Sequence, residues 1–333
     1  MRSILNGEKL EDNVKNFYEK LNTKGRVTQI LNNLAQLKID SAIPPHWGLR
    51  QNDVFDYIEK IETEYRRIMI ANPLEIETLK NEFEAIIQAE NITSAFQKAV
   101  VKAMDYQGFR SFEFMEMFQT CNIKTCVYCH CQLTLIIKKY LYKRAVGGHA
   151  VGDVREFRGL LQLDHKNAKS KYPFICTSFY NLYPICSNCN IAKSANATAF
   201  NLYLDKPPLD FLTFGLKTAS VLSYWETHDP EVLEIEIRSV DGNDTVLTAY
   251  LNMFNIKFVY DTQKDLIEEL LQKQFVYNKL YKETLSKSFK DLFANPTMIN
   301  RLLIGNYDQP KDILKRPMAK FIQEIARDIK FIP

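Results

Sequence analysis

Cys126-Val127-Tyr128-Cys129 and Cys186-Ser187-Asn188-Cys189-Asn190-Ile191-Ala192-Lys193 are the stretches on which the reading of this chain turns. A Cys-x-x-Cys pair lets two thiolates approach one ion from a tight turn, and two such pairs complete a tetrahedral all-cysteine site. With all four ligands supplied by protein, the site is closed and therefore structural, and zinc is the metal it suits. His130 and Cys131 are alternative ligands; Cys129 is preferred because it completes the matched spacing. Cys121 and Cys176 read as buried free thiols. All seven cysteines fall within residues 121–189. The odd number and the paired spacing argue against a disulfide framework and for metal binding in a reducing compartment.

Between the pairs lie Leu163-Asp164-His165 and Asn181, and each residue type has a chemical use. His165 can take a proton from water near neutral pH. Asp164 offers a hard oxygen ligand for Mg²⁺ or a similar ion. Asn190, one residue past a zinc cysteine, offers a carbonyl oxygen held in place by the metal site. Lys193, three residues on, shares its helical face and can reach a phosphate. Asn181 can brace the loop that carries His165 through side-chain to backbone hydrogen bonds. Taken singly, each also has an ordinary explanation: an Asp-His turn, a capping Asn, a solvated Lys. Their combination in this order, framed by both cysteine pairs, favours the chemical reading.

Cys-x-x-Cys, Asp-His, Asn, Cys-x-x-Cys-Asn-x-x-Lys resembles the zinc-stapled HNH endonuclease motif, a ββα-metal finger. The resemblance implies one divalent ion, Mg²⁺ or Mn²⁺, at a scissile phosphate. It makes His165 the general base, Asp164 and Asn190 the metal ligands and Asn181 a supporting residue. Lys193, Lys169 and Lys171 become phosphate contacts, with Lys166 beside them. The last motif position is Asn190 rather than His, a variant that favours Mg²⁺ over a softer metal. A longer similarity runs through Lys171-Tyr172-Pro173, Ser178-Phe179-Tyr180-Asn181-Leu182-Tyr183-Pro184, Gly305-Asn306-Tyr307 and Lys315-Arg316-Pro317-Met318-Ala319-Lys320. There the chain is similar to the HNH subunit of Septu-type and retron-associated anti-phage systems. That similarity implies an ABC-type or SMC-like ATPase partner, and a retron reverse transcriptase with its DNA as a further one. The substrate it implies is DNA, with RNA such as tRNA as the alternative. A non-catalytic zinc-stapled nucleic-acid-binding or adaptor module is the competing reading, and Asp164, His165 and Asn190 together weigh against it.

The remainder of the chain is ordinary globular protein, with 46% apolar and 25% charged residues. No run approaches the roughly 18 apolar residues of a membrane span, and Met1 to Glu8 lacks a secretory pattern. These features predict a cytoplasmic protein and no membrane partner. The balance of 43 basic against 40 acidic residues hides a pattern. Residues 101–200 carry 13 basic and 6 acidic side chains, net +7, between acidic stretches of −5 over 51–100 and −6 over 201–250. A local basic excess is what a phosphate backbone requires.

Apolar spacing predicts a helix over 54–69, a break at Asn72-Pro73, and a second helix from about 74 to 90. Ser41 to Pro45 reads as a linker because of its diproline. Residues 94–118 read as helical with a break near Gly108. Gln132 to Tyr142 and Val154 to Leu163 read as paired strands about a loop at 147–153. Residues 186–200 read as helix-compatible. Val232 to Ser239 alternates as a half-buried strand before a turn at 241–244, and Pro317 opens a final helix with Met318, Phe321, Ile322, Ile325 and Ile329 on its apolar face. The expected fold is therefore α+β, mostly helical. It comprises a helical region over 1–118, the ββα-metal HNH core over 119–205, and a mixed then helical region over 206–333 suited to partner docking.

Overall fold

A computed structural model describes the chain apart from residues 1–6, 43–45, 199–200, 204–211, 241, 243 and 294–295. The diproline of the expected linker, Pro207-Pro208 and residues 241 and 243 of the expected turn lie outside the described residues.

Among the described residues seven α-helices come first: α1 (Gly7–Thr23), α2 (Arg26–Asp40), α3 (Gln51–Ile70), α4 (Pro73–Glu84), α5 (Ser94–Ala103), α6 (Tyr106–Ser111) and α7 (Glu113–Thr120). α3 buries Val54, Tyr57, Ile58, Ile61, Tyr65, Ile68 and Met69, the stripe its spacing predicts. Asn72 ends one helix and starts the next. Its side-chain oxygen accepts from the backbone N–H of Leu74 and Glu75, each at 3.0 Å, with Pro73 in the first turn where its missing N–H costs nothing.

The break expected near Gly108 falls instead at Asp105 and Phe112. Asp105 takes a left-handed conformation (φ 48°) and its carboxylate caps Gly108 N–H at 3.2 Å, so Gly108 sits inside α6. A Cβ at Gly108 would displace the ends of the Asp105 and Arg26 side chains.

The central segment holds two antiparallel pairs. β1 (Leu135–Leu141) pairs with β2 (Val154–Leu160), and β3 (Gln162–His165) pairs with β4 (Leu182–Ile185), followed by helix α8 (Ser187–Lys193). The run expected as one strand to Leu163 is thus cut at Leu161, and its last residues serve a different sheet. β1 and β2 form a two-stranded ribbon exposed along most of its length, whereas all four residues of β4 are buried.

The chain continues through β5 (Leu212–Leu216), α9 (Thr218–Thr227), β6 (Ile235–Ser239), α10 (Asp244–Phe254), α11 (Ile256–Asp261), α12 (Lys264–Val276), α13 (Lys279–Ser288), α14 (Pro296–Ile304) and α15 (Ala319–Asp328). β5 and β6 pair antiparallel. Glu324 and Asp328, four apart on α15, accept from Phe214 N–H at 2.9 Å and Leu216 N–H at 2.8 Å. They take the place of a neighbouring strand and blunt that sheet edge. The last helix begins at Ala319, after Met318 in a left-handed conformation, rather than at Pro317.

The coarse class is α+β and mostly helical. One apolar core runs from Leu10 to Ile332. Among the described residues no helix is long and apolar enough to cross a membrane.

Candidate metal centre and adjoining cleft

Cys126, Cys129, Cys186 and Cys189 come together in the interior, their sulfur atoms all within 4.8 Å of one another. A tetrahedral zinc with bonds of about 2.3 Å holds its sulfurs about 3.8 Å apart, so this cluster is the right size for one ion. Cys186 also caps α8, its sulfur accepting from Cys189 N–H at 3.4 Å. Cys131 is outside the cluster and donates to the Cys129 carbonyl at 3.0 Å, while His130 turns its Nε2 towards the Val127 carbonyl at 3.2 Å. The first cysteine turn is locked from the far end of the chain. Tyr250 OH donates to the Tyr128 carbonyl, Tyr260 OH to the Cys129 carbonyl at 2.9 Å, and Met318 N–H to the His130 carbonyl at 2.8 Å.

β3 carries Asp164 and His165, and both are buried. One Asp164 oxygen accepts from Lys193 Nζ at 3.0 Å and the other from Tyr128 OH at 2.7 Å. Lys193 is 1% exposed and donates also to the His165 carbonyl at 3.2 Å. Burial pushes the Asp164 carboxyl above its ordinary value, and the Lys193 ammonium pulls it back. Burial holds the His165 imidazole down at about 3, Lys169 adding to the shift; its Nε2 lies 3.1 Å from the Cys176 carbonyl. Asn181 is fully buried. Its oxygen accepts from Asn167 N–H at 2.8 Å, and its amide donates to the Asn167 and Ile175 carbonyls, each at 3.2 Å.

A cleft of about 400 Å³ opens beside these groups, lined by Asp164, His165, Asn190 and Lys169 from the central segment and by Gln97, Tyr106 and Arg110 from the N-terminal helices. Lys169 lies 5.0 Å over the Tyr106 ring. Lys166 faces Glu77 at 3.6 Å, and Lys171 is exposed away from this lining. Asp164, His165, Asn190 and Lys169 are therefore neighbours, and Lys193 is turned inward as a buried counter-ion rather than outward.

Sequence reasoning missed Tyr128, although it stands inside the first cysteine pair. It also missed Tyr106 and Arg110, which are distant in sequence and carry no local motif. Among the described residues the four cysteines are the one group of His, Cys, Asp or Glu side chains placed to hold an ion, and Asp164 is engaged by Lys193 and Tyr128, so a catalytic Mg²⁺ or Mn²⁺ is not supported.

The fold and this centre define a mostly helical α+β protein stapled by a four-cysteine cluster. No family model matches the chain, and no solved structure matches it significantly. Regulatory protein RecX of Bacillus cytotoxicus is 28% identical over 131 residues, which is 38% of this chain and 48% of that protein. The chain thus spans about half the length of the relative it matches. This likeness corrects the function expected from the motif. The relative is a regulatory protein, which points away from an HNH endonuclease effector of anti-phage defence.

Proposed function

We propose that this chain is a regulatory, DNA-binding protein of the cytoplasm, built on a structural zinc site and touching DNA through the β1–β2 ribbon. The ribbon is the observation that carries the reading. Residues 135–160 hold six basic side chains against two acidic ones, and Lys138, Lys139, Lys143, Arg144, Arg155 and Arg158 are all exposed. The two strands of seven residues extend about 24 Å at about 3.4 Å per residue. A two-stranded ribbon fits the major groove of a duplex, where such cations meet phosphates on either side. Tyr140, 51% exposed, and the Tyr142–His149 stack at 4.4 Å add flat surfaces to the same element. The likeness to a regulatory protein supports a role in control rather than turnover.

The test is binding to a labelled duplex across a salt series. The triple variant Lys138→Gln, Lys143→Gln, Arg158→Gln is expected to bind more weakly. It should also flatten the salt dependence by roughly 0.9 log units per decade for each phosphate no longer neutralised. Unchanged affinity and slope would remove the ribbon from the interface. Mg²⁺-dependent DNA cleavage that disappears in His165→Ala would overturn the regulatory reading.

A further inference from the structure

A second concentration of positive charge lies in the C-terminal helices, away from the ribbon. A cleft of about 760 Å³ is walled by the end of α12, by α13, by Asn300 of α14 and by the end of α15 with the segment after it. Its cationic lining is Lys279, Lys282, Arg327 and Lys330, and among the described residues no carboxylate side chain lines it. The neighbouring acids are committed elsewhere: Asp328 to Leu216 N–H, and Asp308 to Asn300 Nδ2 at 3.1 Å. Glu283 pairs with Lys279 at 4.0 Å, so among the described residues Lys279 alone of the four cations has a carboxylate side-chain partner.

Two features set this cleft apart from a solvated basic patch. Lys282 is half-buried with no carboxylate partner among the described residues. Its ammonium donates to the Phe331 carbonyl and lies 4.4 Å over the Phe331 ring, and desolvation lowers its pKa. Lys330 holds a left-handed conformation (φ 59°) just past α15, where helices usually place glycine. Arg327 donates from Nε to the Pro333 oxygen at 3.0 Å and from a terminal nitrogen to the Asp308 carbonyl, so its charge is held at the cleft wall.

We infer that this cleft binds a phosphate-bearing anion of nucleotide size. Among the described residues Lys282, Arg327 and Lys330 meet no carboxylate side chain, and an anion with several oxygens can accept from all three. Tyr277 and the amides of Gln274, Asn278 and Asn300 supply the neutral donors and the ring that a nucleotide uses beyond its phosphates. A free nucleotide and a phosphorylated nucleic-acid end share this chemistry.

Calorimetric titration of the full chain with inorganic pyrophosphate, with a nucleoside triphosphate and with a short 5′-phosphorylated oligonucleotide tests the inference and separates the sources. Pyrophosphate and the triphosphate are expected to bind, about tenfold or more weakly in Lys330→Gln and in Lys282→Gln. Lys287→Glu, on α13 but outside the lining, is expected to bind as the wild type does. Lys330 is exposed, so its variant stays folded even where Lys282→Gln does not. Binding of the oligonucleotide alone, with the same sensitivity to Lys330→Gln, assigns the cleft to nucleic-acid ends. Binding of none of the three overturns the inference, and so does equal binding by Lys330→Gln. The triple ribbon variant should leave these affinities unchanged, which separates this site from the proposed duplex interface.

Discussion

Asp164 and Lys193 form an ion pair with almost no solvent, at 6% and 1% exposure. Breaking such a pair by removing one partner leaves a bare charge in the interior and costs about 3–5 kcal/mol. Lys193→Met is therefore expected to lower unfolding free energy by about that amount in a urea titration. The double variant Asp164→Asn, Lys193→Met removes the charge while the introduced amide oxygen can still accept from Tyr128 OH, so it should recover much of the stability. A double variant no more stable than the sum of the singles would show that the pair is not what holds these residues. His165 makes a second expectation. Its folded pKa is about 3 against 6.5 for the free side chain, so between these values the unfolded chain binds the extra proton. Stability should fall as pH drops from about 6.5 towards 3, by on the order of 1.4 kcal/mol per unit from this residue. His165→Gln should flatten that slope in thermal melts across the range.

At the scale of elements, the cysteine staple joins parts that pack poorly without it. α8 is seven residues long and buries only Cys189 and Lys193, too little to stand alone. Zinc between Cys126, Cys129, Cys186 and Cys189 would tie α8 to the turn that Tyr250, Tyr260 and Met318 hold from the C-terminal region. Chelation, or Cys186→Ser, should lower the melting temperature and expose amides of α8 and of residues 126–131 to hydrogen exchange together. Exchange unaffected by chelator would remove metal from the staple. The paired spacing made these four cysteines legible, because ligand geometry is written in short range. The helical stripe of α3 was legible for the same reason. The split of β2 from β3 at Leu161 was not, since Gln162 to His165 find their partner in Leu182 to Ile185, across a long connection. The breaks around α6 were misplaced because Asp105 in a left-handed conformation caps more decisively than Gly108 disrupts.

At the scale of the molecule, the N-terminal helices and the central segment share one core, which no local pattern announced. Phe83 of α4 stacks on Phe174 with centroids 3.8 Å apart, and Tyr57 of α3 meets both rings edge-on. Ser178 Oγ donates to the Ile68 carbonyl at 2.7 Å, and Tyr172 OH to Glu84 at 2.7 Å. The helices thus bury the connection between β3 and β4 and complete the cleft with Tyr106 and Arg110. Helices α3 to α6 are therefore a structural part of the site. Removing them would strip Phe174, Ile175 and Cys176, all fully buried, of their cover. A chain beginning at residue 119 is expected to be insoluble or to lack a cooperative melt. Phe83→Ala in the full chain should cost about 3–5 kcal/mol of stability and loosen the 173–181 connection in hydrogen exchange. A soluble, cooperatively melting 119–333 fragment with the same protection in β3 and β4 would show instead that the helices are a separable attachment.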